Sequence, residues 1–510
     1  MDYIISYDIG TGGIKASLYD KNMTTKAKSF IEYTTYHPQP NYEEQSPLDW
    51  WDAFCQSTRL IINNSNIDSK DIKGIALSGA SLVTVPFDQK GSMLCEKVPI
   101  WSDKRADVEA EEFFKEVDYD IWYITTGNGF PAPCYPLFKL MWLKKHNPKL
   151  FNKISFVLGT KDYINYKLTG RIATDHSYAS GTGAYNLLER RLEESFFESA
   201  GIPSSIFPPI YESHDCVGYV KEGLFDETGL LPTTSVFLGG VDNACTALGT
   251  VGVTSGKAYV SLGTSSWIPI NTETPICDIK TRPYTFAHIE KNMFTSAYSI
   301  FSGGNSLRWM KEKMCPEICN YDNMTECAKR SPLGANGVMF HPGLAGGTSQ
   351  DRSVYLRGGF FGLTLSANKN DLIRAVYEGV AFNLKQSLEL LQTKCAVDSS
   401  IVFCGGGSKS NFWLDIFADV FNISAIRSNI DQDAATLGAA ACAARGLGWF
   451  NDYKFIDKLH SISYIANPNP DNSKKYEELF KLFEKSAEFA ADYGDTLREI
   501  TKKEMDENDK

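Results

Sequence analysis

The chain has 510 residues, of which 43% are hydrophobic and 22% charged, and its net charge is −11. A chain of this length is expected to form two to four domains with a substantial core. The negative charge and the lack of a dense basic stretch argue against a polynucleotide partner. An acidic protein can still bind a nucleotide, because glycine-loop amides and helix N-termini act locally.

The N-terminus and the cysteines point to a cytoplasmic protein. The first ten residues, MDYIISYDIG, lack a basic region, and their short apolar run predicts a strand rather than a signal peptide. No uncharged apolar run is long enough to span a bilayer, so no membrane partner is expected. The twelve cysteines are scattered without CxxC pairs. This spacing is typical of buried thiols in a reducing compartment rather than of a disulfide or metal framework.

In chain order, the first predicted element is a β-hairpin. Residues 3–8 are apolar, a glycine-rich turn follows, and residues 14–19 alternate like a half-buried strand. A third strand is expected around residues 25–34. Further predicted elements of this half are a helix after Ser46, strands at 72–77 and 236–240, and helices opening at Trp101 and spanning 137–146 and 161–168. Alternating strand and helix signals predict an α/β protein.

The second half repeats this plan. Residues 257–262 and 267–270 flank a second Gly-Thr turn, and residues 293–297 are the third strand. Two like hairpins half a chain apart predict a duplicated domain with a site between the copies. The expected domains are residues 1–248, residues 249–455, and a helical extension with a charged tail at 456–510. A long helix is predicted at 371–394, and a helix of small residues that permits close backbone approach at 433–441.

The two Gly-Thr turns are candidates for phosphate binding. Glycine lets backbone N–H groups approach phosphate oxygens, and the threonine hydroxyl adds a donor. One such turn alone is typical of an ordinary hairpin, but two in matching positions favour phosphate contacts. Lys15 either adds charge beside the first turn or is a solvated strand lysine. The candidate residues in the turns are Thr11, Gly12, Gly263 and Thr264.

Two acids are candidates for the chemistry. Asp8 ends a buried strand before the first turn, where a carboxylate needs a cation such as Mg²⁺. The alternative is that Asp8 accepts hydrogen bonds from its own turn amides. Asp242 follows a strand and two glycines, and it can act as the base for a hydroxyl that attacks phosphorus, or cap the following helix, or do both. Asp242 is therefore the candidate catalytic residue, and Asp8 and Asp242 are the candidate metal ligands.

A third glycine turn follows a buried strand at residues 401–404. Its sequence, Gly405-Gly406-Gly407-Ser408, is suited to a nucleotide lying on a helix N-terminus. The alternative is a sharp structural turn. The candidate nucleotide contacts here are Gly406, Gly407 and Ser410. No Walker A motif occurs in the sequence, so a P-loop kinase is excluded.

Together these segments resemble the FGGY family of carbohydrate kinases, within the actin, hexokinase and heat-shock ATPase superfamily. The segments that carry the resemblance are residues 8–15, 101–105, 239–243, 261–265 and 405–408, in the family's order. The resemblance covers about residues 3–450. It implies two ribonuclease-H-like domains around a central cleft, with sugar mainly on the first domain and ATP mainly on the second.

The resemblance also implies roles for individual residues. Asp242 would take a proton from a sugar hydroxyl, and Asp8 would lie by Mg²⁺ and phosphate. Arg105 could equally form an ion pair on a helix surface. The implied sugar contacts are Ser81, Leu82, Trp101, Asp103, Arg105 and Asn243, and the implied nucleotide contacts are Thr11, Gly12, Lys15, Gly263, Thr264, Gly303, Gly304, Gly406, Gly407 and Ser410.

Within the family, the segments around Trp50 and Lys161 are most similar to xylulokinases. One departure is Ser81-Leu82-Val83, which stands where xylulokinases carry Met-His-Gly. The expected function is ATP-dependent phosphorylation of a small sugar, a ketopentose such as xylulose. The alternatives are a kinase of glycerol, erythritol, ribulose or fuculose, and a non-catalytic sugar or nucleotide sensor on the same fold. The expected partners are a sugar or polyol and ATP, with a homodimer as an open alternative.

Overall fold

Two mixed β-sheets, one in each half of the chain, organise the computed structural model, which describes residues 1–430 and 433–508. Helices pack on both sheets, and two helices cross between them. The α/β class predicted from the alternating strand and helix signals is confirmed.

The first sheet has the strand order β5-β6-β4-β1-β2-β3. Strands β1, β2 and β3 form the predicted antiparallel meander, whereas β4 pairs parallel to β1, and β6 pairs parallel to β4. The carboxyl ends of β1, β4 and β6 therefore share one edge of the sheet. The strands are β1 (Tyr3–Ile9), β2 (Gly13–Asp20), β3 (Thr25–Glu32), β4 (Ile72–Gly79), β5 (Cys216–Tyr219) and β6 (Ser235–Val241).

The second sheet has the order β9-β10-β8-β7-β11-β12-β13 and repeats the pairing of the first. Its meander is β7, β8 and β10, and β11 and β12 continue it in parallel. Strand β9, an added edge strand, has no counterpart among the predicted elements. The strands are β7 (Tyr259–Leu262), β8 (Ser266–Thr272), β9 (Tyr284–Ala287), β10 (Phe294–Ile300), β11 (Ser400–Cys404), β12 (Ser424–Ser428) and β13 (Ile462–Ala466).

The main helices are α1 (Pro47–Ser65), α2 (Pro136–His146), α3 (Thr160–Thr169), α4 (Asp242–Val251), α5 (Gly304–Trp309), α6 (Lys369–Gln392), α7 (Asn411–Phe421), α8 (Ala434–Gly446) and α9 (Pro470–Asn508). Helix α8 crosses α4 at very short range. A Cβ at Gly438 would lie 2.1 Å from the carbonyl oxygen of Cys245, so the small residues predicted for this helix are required. Because α8 also packs on β1 and β4, a helix from the second half completes the core of the first.

The remaining elements are short. The helix expected to open at Trp101 is displaced, because residues 101–105 form turns and the helix begins at Asp107. Within the described part of the chain, no helix is long and apolar enough to cross a bilayer. The shorter helices include Asp107–Phe113, Tyr119–Thr126, Pro148–Phe151, His176–Ala179, Glu194–Ala200, Phe225–Thr228 and Tyr321–Lys329, and the shorter strands are Glu44–Gln45, Val85–Phe87, Val98–Pro99, Phe156–Leu158, Thr174–Asp175, Tyr185–Asn186, Arg191–Leu192, Ile210–Tyr211, Met339–His341 and Gly359–Phe361.

Candidate active site

A cavity of about 360 Å³ lies between the two sheets, where β1, β4 and β6 end. Both halves of the chain contribute to its wall. Seven of the predicted site residues line it, all from the first half and the start of α4: Asp8, Thr11, Ser81, Leu82, Trp101, Asp242 and Asn243. The second half contributes Ser261, Ser265, Trp267, Tyr284, Ala297, Ser299 and Ala435.

Asp242 is the first residue of α4 and lies where the cavity is bounded by both halves. One of its carboxylate oxygens accepts the backbone N–H of Asn243 at 2.8 Å. Burial raises the pKa of Asp242 to about 7, and the negative charge of Asp8 contributes to the rise. This carboxyl can therefore gain or lose a proton near neutral pH, as a general base must.

Asp8 lies at the end of β1 and lines the same cavity. The Ser78 hydroxyl donates to its Oδ1 at 2.8 Å, and Lys15 stands opposite it on β2. Burial raises the pKa of Asp8, while the Ser78 hydrogen bond and the Lys15 charge oppose that rise. Asp8 and Asp242 thus form a pair of like charges in one cavity.

The first Gly-Thr turn is held in place by side chains from two other segments. The Trp101 indole N–H donates to the Thr11 hydroxyl at 2.9 Å, and the Gln45 amide donates to the Thr11 carbonyl at 2.7 Å. Gly12, in the turn, and Lys15, on β2, are not part of the cavity wall. The turn therefore presents Thr11, rather than the whole predicted set, to the cavity.

Three aromatic rings follow one another along the cavity wall. The ring centroids of Trp101 and Phe130 are 5.9 Å apart, and those of Phe130 and Tyr284 are 6.5 Å apart. Asn243 and Tyr284 line the same cavity. Phe130 and Tyr284 were absent from the predicted site. The signal that could have indicated Phe130 is the Gly-Asn-Gly sequence before it, since a Cβ at Gly129 would lie 2.2 Å from the carbonyl oxygen of Arg282.

A second cavity, of about 680 Å³, lies wholly within the second half. Six predicted nucleotide residues line it: Gly263, Thr264, Gly304, Gly406, Gly407 and Ser410. The sequence motifs missed the rest of the wall, which comes from α5, α6, α7, the helix Tyr321–Lys329 with the residue before it, and the turn before α7. These additional residues include Arg308, Asn320, Tyr321, Asp322, Thr325, Tyr377, Lys409 and Trp413.

The second Gly-Thr turn is the wall between the two cavities. Ser261 and Ser265 line the first cavity, whereas Gly263 and Thr264 line the second. The backbone N–H of Gly304 donates to the Gly263 carbonyl at 2.9 Å, which attaches the turn to the start of α5. A group at this turn is therefore accessible from both cavities.

Three other predicted residues lie away from both cavities. The Arg105 guanidinium forms two hydrogen bonds to Asp103, at 2.9 and 2.7 Å, and one to Glu44 at 2.7 Å. Asp103 is 0% exposed and also accepts the backbone N–H of Glu43. This buried ion-pair cluster fixes the neighbouring loops rather than lining the cavity. Gly303 packs against Ser266, with no room for a Cβ.

Two sheets of the same topology, closing on a cleft that carries acids and glycine turns, define a two-domain fold of the actin and hexokinase type. Residues 3–249 match the N-terminal domain of the FGGY family of carbohydrate kinases, and residues 258–447 match its C-terminal domain. The chain therefore belongs to the FGGY family of carbohydrate kinases. It is a sugar kinase, and its family uses ATP.

Individual relatives agree with this assignment. The chain is 32% identical to a xylulose kinase of Bacillus subtilis over 506 residues, covering 98% of this chain and 100% of that protein. It is 27% identical to a gluconokinase of the same organism, covering 94% of each. A crystal structure of ligand-bound xylulose kinase from Lactobacillus acidophilus superimposes with a TM-score of 0.91 at 25% identity, covering 97% of this chain and 100% of that one.

Proposed function

We propose that this sugar kinase transfers the γ-phosphoryl group of ATP to a hydroxyl of a neutral ketopentose such as xylulose. The observation that carries the proposal is the chemistry of the first cavity. Among the described residues of its wall there are two carboxylates, several hydroxyls, an amide and aromatic rings, but no lysine, arginine or histidine. An aldonate would bring its own carboxylate beside Asp8 and Asp242, and the wall offers no basic side chain to pair with it.

The wall of the first cavity also suits a sugar in shape. The C–H faces of a pentose can pack on the rings of Trp101, Phe130 and Tyr284, since flat apolar surfaces supply contact area without requiring charge. Ser81, Asn243 and the Tyr284 hydroxyl are then available to the sugar hydroxyls. Leu82 adds apolar surface at the position where this chain departs from the xylulokinase pattern.

Asp242 is the general base of the proposed reaction. Its carboxylate takes the proton of the attacking hydroxyl while the sugar oxygen forms a bond to the γ-phosphorus and the bond from that phosphorus to ADP breaks. Thr11 and the amides of the second turn donate to the phosphoryl oxygens, where charge develops. Because the second turn separates the cavities, ATP in the second cavity can present its γ-phosphate to a sugar in the first.

Asp8 and Asp242 are also the proposed holders of Mg²⁺, partly through water. No group of three or more histidine, cysteine or acidic side chains able to hold a metal occurs among the described residues. Two carboxylates together with phosphate oxygens are suitable ligands for Mg²⁺, because this ion usually keeps several water ligands and seldom has only protein ligands. When bound, the ion neutralises phosphate charge, and it would relieve the repulsion between the two acids.

A substrate panel tests the proposed substrate class. ADP release is measured with D-xylulose, L-xylulose, D-ribulose, L-ribulose, glycerol, erythritol, L-fuculose and D-gluconate. We expect the highest kcat/KM with a ketopentose, and a value lower by about two orders of magnitude with gluconate, as a buried like-charge contact implies. A preference for gluconate or glycerol would refute the proposal while leaving the kinase assignment intact.

The Asp242→Asn variant tests the proposed role of Asp242 as the general base. We expect turnover to fall by about two to four orders of magnitude, the usual effect of losing general-base help, while the Kd for ATP stays within a small factor. The matched control is Asp226→Asn, which changes an exposed acid of the same half. Near-normal sugar phosphorylation by Asp242→Asn would exclude Asp242 from this role.

A further inference from the structure

Helix α2 buries a lysine, Lys139, behind the wall of the first cavity. The residue is 4% exposed, and its recorded partners are both backbone carbonyls. Burial lowers the pKa of Lys139 to about 8. A buried cation without a paired carboxylate costs folding free energy. Lys139 is therefore not explained by stability alone.

The two carbonyls belong to two of the loops that form the first-half wall of the cavity. Lys139 Nζ donates to the carbonyl oxygen of Leu82 at 2.8 Å and to that of Ile100 at 2.6 Å. Leu82 lines the cavity, and Ile100 is followed directly by Trp101, which also lines it. One ammonium group thus joins two loops that are far apart in sequence.

Leu82 has a backbone conformation that needs such support. Its φ is +58°, in the left-handed region that residues with a Cβ seldom adopt. Strained backbone of this kind persists where the surroundings fix it, and it is found at ligand sites. This backbone conformation orients the Leu82 carbonyl, and its oxygen accepts the hydrogen bond from Lys139 Nζ.

We propose that Lys139 is a positioning residue, which holds the Ser81–Leu82 segment and Trp101 at a fixed separation so that the cavity matches the sugar. The chain of contacts from Lys139 through Trp101 reaches the first Gly-Thr turn, because the Trp101 indole N–H donates to the Thr11 hydroxyl. Lys139 itself does not touch the cavity. The proposal rests on the proposed function only in taking the first cavity as the sugar site.

The test is the Lys139→Met variant, which keeps the length of the side chain and removes its charge and donors. We expect the KM for the ketopentose to rise by about tenfold or more, as the loss of charge-assisted hydrogen bonds implies. The KM for ATP should stay within about twofold, and kcat should change less than the sugar KM does. The melting temperature should change little, because the desolvation cost of the buried charge disappears while the carbonyls of Leu82 and Ile100 lose their donor.

The matched control is Lys144→Met on the same helix. Lys144 is exposed and also donates to a backbone carbonyl, that of Gly201 at 2.5 Å, but neither residue lines the cavity. We expect wild-type kinetics from it. A second variant, Lys139→Gln, keeps amide donors without charge, so its sugar KM should lie between those of the wild type and Lys139→Met, and it replaces the methionine variant if that one does not fold.

Two results would overturn the inference. One is a sugar KM within about twofold of wild type in both Lys139 variants, since a rise of about tenfold is expected from the lost hydrogen bonds in Lys139→Met. The other is a parallel rise in the KM values for sugar and ATP with a lower melting temperature, which would indicate a general packing role. If the wild type instead prefers another sugar, the proposed substrate fails, and the same comparison with that sugar still tests Lys139.

Discussion

The paired acids of the first cavity make a prediction at the scale of single residues. Burial and the charge of Asp8 raise the pKa of Asp242 from 3.8 to about 7, so its protonated form accumulates below neutral pH. Only the deprotonated form can act as a base. With both substrates well below their KM values, the rate should therefore fall about tenfold per pH unit below about pH 7, because such rates report the free enzyme.

The Asp8→Asn variant separates the two causes of this pKa. Removing the neighbouring negative charge should lower the pKa of Asp242, and so move the acid limb of the residual activity to lower pH. If the acid limb does not shift, burial alone accounts for the raised pKa of Asp242. A rate that stays constant from pH 8 to pH 5 would contradict the titration of Asp242 in this range.

Single residues also show the limits of the sequence motifs. Asp8, Thr11 and Asp242 lie at or just after the ends of buried strands, near glycines, and the sequence pattern can indicate such positions. Asp103 and Arg105 lie in an equally suggestive motif, yet the Arg105 guanidinium pairs with the carboxylates of Asp103 and Glu44. Side-chain direction decides between these outcomes, and it depends on tertiary packing. The sequence did not indicate a role for Lys139, because a single lysine among apolar helix positions is typical of a surface residue.

At the scale of elements, the contact between the second Gly-Thr turn and α5 makes the next prediction. A Cβ at Gly304 would lie 2.4 Å from the Gly263 carbonyl oxygen, which is backbone and cannot move aside alone. Gly304→Ala should therefore displace the turn that lines the nucleotide cavity. We expect the KM for ATP to rise about tenfold, because overpacking typically costs about 1–3 kcal/mol.

Gly359→Ala is the control for this substitution. A Cβ there would meet only ordinary contacts, 3.7 Å from the Phe361 ring, in a strand remote from the cavity. Its ATP kinetics should match wild type. If Gly304→Ala also has a normal KM for ATP, the turn is not held by this close approach or does not contact the nucleotide.

Most elements could be predicted because each has a local signal. The two hairpins, the long helix α6 and the small-residue helix α8 follow from hydrophobic period and glycine placement. Strand β9 is missing from the predicted elements, because four residues are too few to show a hydrophobic period and the strand forms by pairing with β10. That omission also hid Tyr284, so an error in one short element removed a cavity residue from the predicted site.

At the scale of the whole molecule, the two halves meet beside the first cavity. The Thr285 N–H donates to the Gly127 carbonyl at 2.8 Å, and the Tyr123 hydroxyl donates to the Pro283 carbonyl at 2.9 Å. These contacts bring Tyr284 from the second half next to Phe130 from the first. The first cavity therefore has residues of both halves in its wall, whereas the second cavity has residues of the second half alone.

This difference predicts distinct hydrogen-exchange patterns for the two substrates. A bound ketopentose should slow amide exchange in both halves, at residues 79–82 and at Tyr284–Ala287 and Phe294–Ile300, because it contacts both sides of the cavity. ADP alone should slow exchange in the second half only, in segments that include Gly304–Trp309 and residues 406–413. D-gluconate at the same concentration is the control and should protect neither set. Protection by the sugar confined to the first half would contradict the shared cavity, and with it the transfer of phosphate across the second turn.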